Sequence, residues 1–460
     1  MNSVLTLPLK TEKWQEDLIN KRLRLGCDVY NAMRNGLSKR YDKMINDKRY
    51  IKSIEIVKKQ YTIEDAKEKR AYKKSDKFKD AEIMLKDLRK EYGFSGKFDF
   101  CSIVKQYVKI YEANISSVAA RLSIAHPLWQ AYEKYMFKEG RQVSFRKYRD
   151  FNTLMTDGKS YLRIVDKDNN PVLDGTDKNK LYLMFGIRGC KTAKIPIKID
   201  KKSMYIKEML SKPIKIVQLQ RQQIKGRYRY IVRITVEGAP AIKRDKDGNE
   251  KHPIGKGKIA MYINPPTLTI YDGKDYIELN LSDNVLNLEK DREFTLQFMD
   301  TSKRISNPEN FNPDGTIKKG KRTEGNTKLD WTFSRNYYRK GKDVLHELYR
   351  KEDVSRKLKN INLANQILKM GDEIIVNDYP FAKAQERSKK DELTKKGTPK
   401  SKKRAGKTIL NNAPATLCTL IDQKLHSRGY DGIKKIKLKN IDKKRKDYKK
   451  YYAKKLYDEN

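Results

Sequence analysis

Apolar positions along this chain change period several times, and each change marks an element. Residues 3–10 read as one short strand ending at Pro8. From Glu12 the period turns helical, with Leu18, Leu25, Val29 and Met33 recurring between basic residues. Residues 40–92 are charge-dense and free of proline. Their sparse apolar positions, Tyr61, Ala66, Tyr72, Phe78, Met84, Leu88 and Tyr92, predict one or two exposed helices. Gly93-Phe94-Ser95-Gly96 breaks that run. A further helix is expected from about Phe100 to His126, carrying Val104, Val108, Tyr111, Ile115, Val118 and Leu122, and another over 128–139 with Trp129, Tyr132 and Phe137.

Strand-like patterning begins at Ser144–Tyr148 and continues in short pieces at 161–165, 181–187 and 194–199. The clearest strand is Arg221–Gly238. Tyr228, Tyr230, Val232, Ile234 and Val236 line one face, and Arg227, Arg229, Arg233 and Thr235 the other. Residues 239–257 have linker composition. Lys258–Ile270 (KIAMYINPPTLTI) then predicts a strand to Asn264, a turn at Pro265-Pro266 and a second strand. Residues 300–330, rich in Asn, Pro and Gly, read as a long surface loop. Ser334–Gly371 predicts a helix pair with Val344, Leu345, Leu348, Val354, Leu358, Ile361, Ala364, Ile367 and Leu368 on its buried stripe. Glu373–Asn377 reads as a buried strand and Ala413–Leu425 as an apolar helix. No tandem repeat is evident.

With 460 residues the chain has room for two or three domains, and 28 Tyr and 13 Phe supply cores for them. Charge changes the picture most. The 104 Lys+Arg against 59 Asp+Glu leave a net +45, a field that attracts polyanions. Nucleic acid is the expected partner. An anionic membrane surface fits less well, because the basic residues spread over the chain instead of one amphipathic helix. No stretch approaches the apolar length of a membrane span, and MNSVLTLPLK lacks the pattern of a signal peptide. Cys27, Cys101, Cys190 and Cys418 are scattered, as are the four histidines, so no zinc knuckle is expected and the cysteines read as buried reduced thiols. Residues 383–407 hold eleven Lys/Arg against three acids and read as a mobile basic loop; 433–460 hold twelve against four and read as a basic tail.

Two-metal phosphodiester hydrolysis needs carboxylates converging from several elements. In RNase H-like nucleases the first of them ends the first strand, where this chain has Asn264. Alone, Asn264 reads as a turn asparagine before proline. The second strand candidate, Glu373–Asn377, also ends in an amide. Asp378 is adjacent, but successive strand residues face opposite ways. Asp442, Asp447 and Asp458 lie in the lysine-rich tail, where no buried helix is evident to carry a third acid.

Several ordered blocks resemble the TnpB transposon-encoded RNA-guided nucleases and the related miniature type V CRISPR effectors. They are Asn20–Met44 with its Tyr30-Asn31 pair, Glu112–Phe137, Gly140–Leu154, KIAMYINPPTLTI, Leu348–Ser388 and Lys400–Leu425. The resemblance implies an α+β multidomain protein with a helical recognition lobe (11–139), a β-barrel wedge domain (1–10 and 140–254), an RNase H-like RuvC domain (255–432) truncated at its C-terminus, and a basic tail (433–460). Active members are metal-dependent DNA nucleases. Here Asn264 and Asn377 stand at the acid positions and Pro266 at a usual glycine, so no catalytic metal or other cofactor is expected. The implied activity is guide-RNA binding and recognition of double-stranded DNA without cleavage, repressing transcription in the bacterial cytoplasm at the nucleoid. A homodimer on each RNA and contact with the transcription machinery are left open by the resemblance.

Candidate nucleic-acid contacts are Lys105, Lys109 and Arg121, then Arg141, Arg146, Lys147 and Arg149, then Arg227, Arg229 and Arg233 on the strand, and Lys402, Lys403 and Arg404 in the basic loop. Asn31, Asn114 and Ser117 are candidates to read base edges, each equally readable as a polar helix-surface residue. Tyr148 and Trp129 are candidates to stack on bases, with Trp129 reading better as core. Two rival readings stay open: a nuclease with rearranged carboxylates at Asp272, Asp378 or Asp442, and a non-catalytic RNA-binding protein of another class.

Overall fold

The alternation of apolar period along the chain becomes, in a computed structural model, a series of helices followed by two groups of strands. The structure describes residues 2–137, 142–172, 180–187, 190–281, 283, 285–318, 329–381, 412–438, 441–442 and 445–459. The chain divides into two units, Met1–Gln223 with Tyr228–Ala241, and Ile224–Arg227 with Ile242–Asn460.

In the first unit β1 (Asn2–Pro8) buries Ser3, Leu5 and Leu7 on alternate positions. Helix α1 (Lys13–Ile45) starts at a capping box between Glu12 and Gln15 and buries Leu18, Ile19, Leu23, Val29, Tyr30, Met33 and Leu37. The charge-dense stretch expected as one or two exposed helices is divided further. After α1 come α2 (Lys48–Lys59), α3 (Ala66–Lys74) and α4 (Asp76–Glu91), each opened by a side-chain cap, Asp47, Asp65 and Ser75. Helix α4 is not fully exposed: Phe78, Ala81, Leu85 and Leu88 are buried. Helix α5 (Lys97–Ile110) stops short of the expected His126, because Glu112 and Asn114 adopt left-handed φ of 43° and 47°. The helix resumes as α6 (Ser117–Ala120), a π-helical turn at Arg121–Ala125, and α7 (His126–Met136).

Then follow β2 (Thr153–Thr156), β3 (Leu162–Val165), β4 (Tyr182–Phe185), β5 (Ala193–Pro196), the short α8 (Met204–Leu210), β6 (Ile214–Ile224) and β7 (Arg227–Glu237). The run expected as a single strand from Arg221 is thus a hairpin. Lys225 and Gly226, with φ of 50° and 75°, make its two-residue turn. The alternation predicted for β7 holds from Tyr230 on, with Tyr230, Val232, Ile234 and Val236 buried, while Tyr228 at the start of the same face is exposed.

The expected β-barrel is not formed. There is a four-stranded sheet of order β1-β7-β6-β2 and a separate three-stranded sheet of order β3-β4-β5. Among the described residues only an isolated bridge, Leu9 to Ile197, joins one pair of edges, and the Thr156 hydroxyl donates to Leu162 O, at 3.2 Å, near the other. Strands β2 to β5 have four residues each. Helices and both sheets of this unit share one continuous apolar core.

The second unit is built on β8 (Lys258–Asn264), β9 (Thr267–Tyr271) and β10 (Tyr276–Asn280), an antiparallel meander whose first turn is Pro265-Pro266, as predicted. Helix α9 (Glu289–Ser306) occupies the start of the expected surface loop. A π-helical turn, Tyr337–Lys342, runs directly into α10 (Asp343–Met370), giving one helix where a pair was expected. Its predicted buried stripe is only partly buried. Leu348, Ala364, Ile367 and Leu368 are buried, while Val344, Val354, Leu358 and Ile361 are exposed; Leu363, outside the predicted stripe, is buried as well. Strand β11 (Glu373–Asn377) lies parallel to β8, and α11 (Pro414–Ser427) follows.

The chain does not then pass into a tail. Residues Lys434–Ile436 form β12, parallel to β11, and Tyr448–Asp458 form α12, burying Tyr452, Ala453 and Leu456 against Ala260, Tyr262 and Ile375. This corrects the expectation of a domain truncated near residue 432. Sheet order is β10-β9-β8-β11-β12, with α10 and α11 packed on one face and α12 on the other.

Candidate functional site

The parity of β8 decides where Asn264 points. Ile259, Met261 and Ile263 face the core with α10 and α11, whereas Ala260 and Tyr262 face α12. Asn264 shares their parity. Its Nδ2 donates to Tyr448 Oη at 2.7 Å, in the first turn of α12. Strand β11 obeys the same rule. Ile375 and Asn377 share the α12 side, and Asp378 falls to the other. Two strand ends and the start of the last helix thus converge, and the residues they bring are two amides and a phenol.

Asn377 is buried, and its amide is fully used. Oδ1 accepts from Ile263 N at 2.7 Å and Nδ2 donates to Ile263 O at 3.0 Å. The backbone of the next residue turns to β12, with Asp378 N donating to Ile436 O at 2.7 Å. A side chain therefore supplies the last pairing between β11 and β8. Around it Tyr262 stacks on Tyr452 at 5.7 Å and meets Tyr448 edge-on at 6.3 Å. Burial pushes the Tyr262 hydroxyl up to about 12, with Tyr448, Tyr452 and Tyr379 adding to the effect.

None of the alternative acids completes a carboxylate cluster. Asp272 lies beyond Tyr271, which pairs with Ala260, so it sits at the far end of the sheet from Asn264. There it closes the β9–β10 turn by accepting from Asp275 N and Lys274 N at 2.8 and 2.9 Å, and these backbone bonds hold its pKa below the usual range. Asp378 is exposed on the wrong side of β11. Asp442 precedes α12, its backbone N–H bonded to Tyr452 Oη at 2.8 Å. Asp447 pairs with Arg445 at 2.6 Å. Among the described residues no three His, Cys, Asp or Glu side chains stand together as metal ligands.

The expected nucleic-acid contacts fall into three groups. Lys105, Lys109, Asn114, Ser117, Arg121, Lys147, Arg149, Arg227 and Arg229 are exposed, and Arg233 is half-buried on the outer face of β7. Asn31 and Arg146 are tied to one another. Asn31 Nδ2 donates to Arg146 O and Asn31 Oδ1 accepts from Arg146 N, both at 2.9 Å, and the Arg146 guanidinium lies 4.4 Å over the Tyr30 ring. With both ends of its amide spent on backbone, Asn31 is not a reader of base edges. Tyr148 is likewise engaged: Arg221 stands 4.2 Å and Arg24 5.3 Å from its ring centre, and its hydroxyl donates to Asn20 O at 3.1 Å. Trp129 packs edge-on against Phe100 at 5.4 Å, as core. Arg141, Lys402, Lys403 and Arg404, with the whole 383–407 run, lie outside the described residues.

Sequence reasoning missed Tyr448, Arg221 and Asn20. Tyr448 opens a helix whose apolar signal is three residues in a lysine-rich segment. Arg221 sits at a β6 position whose parity with Val217 and Leu219 marks it as inward-facing, a legible sign once the hairpin is recognised.

Buried tyrosines give this protein an alkaline limit. Tyr41, Tyr230 and Tyr262 are each pushed up to about 12, mainly by burial. In the unfolded chain these groups ionise near pH 10. The folded state then holds more protons, so stability is complete below about pH 10 and falls as pH rises towards about 12. Tyrosinate absorbance and circular dichroism recorded in one titration are expected to show these residues ionising together with unfolding. Their ionisation with the fold intact would contradict the burial argument.

No family model and no curated protein matches the chain. Among solved structures, it is similar to a Cas12f1–sgRNA–target DNA complex seen by cryo-EM, with 9% identity over 95% of this chain and 89% of that one, at a TM-score of 0.37. It is also similar to a crystal structure of a Cas12i1 R-loop complex before target DNA cleavage, with 9% identity over 93% of this chain and 56% of that one, at 0.25.

Proposed function

We propose that this chain is an RNA-guided DNA-binding protein whose RNase H-like centre does not cleave. It would hold a guide RNA, pair that RNA with a double-stranded DNA target beside a short flanking motif, and act by occupying the site, as a repressor would. The observation that carries this reading is the convergence of Asn264, Asn377 and Tyr448. The sheet order β10-β9-β8-β11-β12, an antiparallel meander extended by two parallel strands, supports an RNase H-like core. In such a core the ends of β8 and β11 and the last helix are the places from which carboxylates reach a metal pair. Here those places carry neutral groups already bonded to one another or to the backbone. An amide replaces the shape of a carboxylate but not the charge that holds two divalent cations about 4 Å apart. The net charge of +45 and the exposed bases of β7 support retention of nucleic acid.

The test is direct. The protein purified with its co-purifying RNA is expected to bind duplex DNA complementary to that RNA and to leave it intact throughout a magnesium or manganese titration. Affinity should fall steeply with salt. The double variant Asn264→Asp with Asn377→Glu is expected to remain inactive, because Tyr448 still occupies the third position. Metal-dependent cutting by the natural chain would overturn the proposal.

A further inference from the structure

Two buried amides pin the chain just ahead of α10. Asn307 is fully buried; its Nδ2 donates to Thr332 O at 2.8 Å and its Oδ1 accepts from Thr332 N at 2.5 Å. Asn310, also buried, donates to Asp330 O at 2.6 Å. The Ser334 hydroxyl accepts from Tyr337 N at 3.0 Å and meets the Ser302 hydroxyl of α9 at 3.1 Å. The π-helical turn at Tyr337–Lys342 is seated on α9 through buried Gly341, where a Cβ would strike Met299. The segment 330–342 is thus tied down every few residues. The rings it carries are not spent in a core. Phe333 lies 4.5 Å from Tyr337 and 6.0 Å from Tyr338. Phe333 and Tyr337 are half-buried, and Tyr338 is 45% exposed. Arg335, Arg339 and Lys340, interleaved with these rings, are exposed. Cations already sit over ring faces on this surface: Lys342 is 5.4 Å from the centre of Tyr338, and Lys303 is 3.8 Å from that of Trp331. Residues 329–342 hold four Lys/Arg against one acid, Asp330, so the patch attracts phosphates.

We infer that Phe333, Tyr337 and Tyr338, with Arg335, Arg339 and Lys340 among them, form a stacking platform for single-stranded RNA. A nucleotide strand alternates flat apolar bases with charged phosphates, and this segment alternates rings with cations. Aromatic faces take unpaired bases whatever their sequence, and the cations take the backbone between them. A duplex keeps its bases stacked on one another and cannot offer them, so the occupant is single-stranded. Exposed Thr332 and Asn336 and the Tyr338 hydroxyl add groups able to bond a ribose 2′-hydroxyl, which favours RNA over DNA. The anchors at Asn307, Asn310 and Gly341 hold the rings in place before the strand arrives, so little ordering is left to oppose binding. The inference rests on the proposed function and deepens it, naming a surface that grips the RNA outside its paired stretch.

The full chain, freed of co-purifying RNA, is titrated by fluorescence anisotropy with a short oligouridine, with oligothymidine of equal length and with a short RNA duplex, each across a salt series. Tyr338→Leu keeps an apolar side chain but removes the ring. It is expected to weaken oligouridine binding roughly 5- to 100-fold with the salt slope unchanged, while Tyr338→Phe keeps most of the affinity. Arg339→Gln with Lys340→Gln is expected to lower the log–log slope by roughly 1.4, and to weaken binding more than the charge-matched control Lys73→Gln with Lys74→Gln on exposed α3. RNA carrying 5-bromouridine should crosslink to Tyr338 under ultraviolet light. Melting temperatures close to that of the natural chain show that the variants are folded. If the natural chain binds oligouridine and Tyr338→Leu binds it equally well without a crosslink at this segment, the platform is wrong and the proposed function stands. Preference for oligothymidine or for the RNA duplex also overturns the platform. If oligouridine binds through Tyr338 but no RNA directs the chain to complementary DNA, the platform holds and the proposed function falls.

Discussion

Asn377→Asp is expected to destabilise the protein by about 3 kcal/mol, whereas Asn264→Asp costs less than about 1 kcal/mol. The two changes are chemically the same, and the difference lies in the partners. At Asn377 the amide nitrogen donates to Ile263 O at 3.0 Å in a buried seam. A carboxylate there turns an oxygen towards that carbonyl, so two acceptors face each other with water excluded. Asn264 is half-buried and bonds a hydroxyl, which reverses direction and donates to the new carboxylate. For a unit of this size the Asn377 change should lower the melting temperature by about 6–12 °C. The sign of its pH dependence provides a second check. The buried aspartate has a folded pKa above its unfolded value, because the protonated acid can again donate to Ile263 O. The lost stability is therefore largely regained below about pH 4 and lost again as pH rises through the folded pKa. Equal melting of the two variants at neutral pH would show that the amide of Asn377 is not needed to join β8 to β11.

The second large effect is expected at Arg292. Glu352 on α10 is 6% exposed and accepts from Leu288 N at 3.1 Å and from the Arg292 guanidinium. Arg292→Met leaves that buried carboxylate with one backbone donor, at a cost of about 3–5 kcal/mol. Replacing both residues, Arg292→Met with Glu352→Met, removes the stranded charge and is expected to recover most of the loss. Denaturant unfolding of the two single variants and the double variant measures the coupling. Additive losses would mean that the pair contributes little, despite its burial.

Legibility differed by element for identifiable reasons. The β8–turn–β9 hairpin was readable because β-branched runs flank two prolines. Strand β7 was readable because its two faces differ so sharply in charge. Strand β6 was overlooked: Gln218, Gln220 and Gln222 alternate with Val217, Leu219 and Arg221, and a buried arginine disguises the apolar face. Helix α10 carries apolar residues on both sides, so a stripe drawn from sequence joined Ala364 and Ile367 to exposed Val354 and Leu358. The site was half legible. Asn264 and Asn377 could be placed because each ends an apolar strand. Tyr448 could not, since its partner is 184 residues away and its helix buries only Tyr452, Ala453 and Leu456. The role of Asn31 was equally hidden, because an amide bonded to a backbone 115 residues distant leaves no period in the sequence. Barrel closure failed as an expectation because the strands pair into separate sheets of four and three, a division that the apolar period of each strand does not reveal.

The side-chain tie from Asn377 to Ile263 also sets an order on sequence change. An acid introduced first at position 264 meets a hydroxyl that accommodates it and is nearly silent. An acid introduced first at 377 loosens the sheet at once and gains no cation in return. Paths through sequence space that would place a charged centre here are thereby narrowed to those that begin at 264 and replace Tyr448 before touching 377. Drift alone does not easily carry this chain along them.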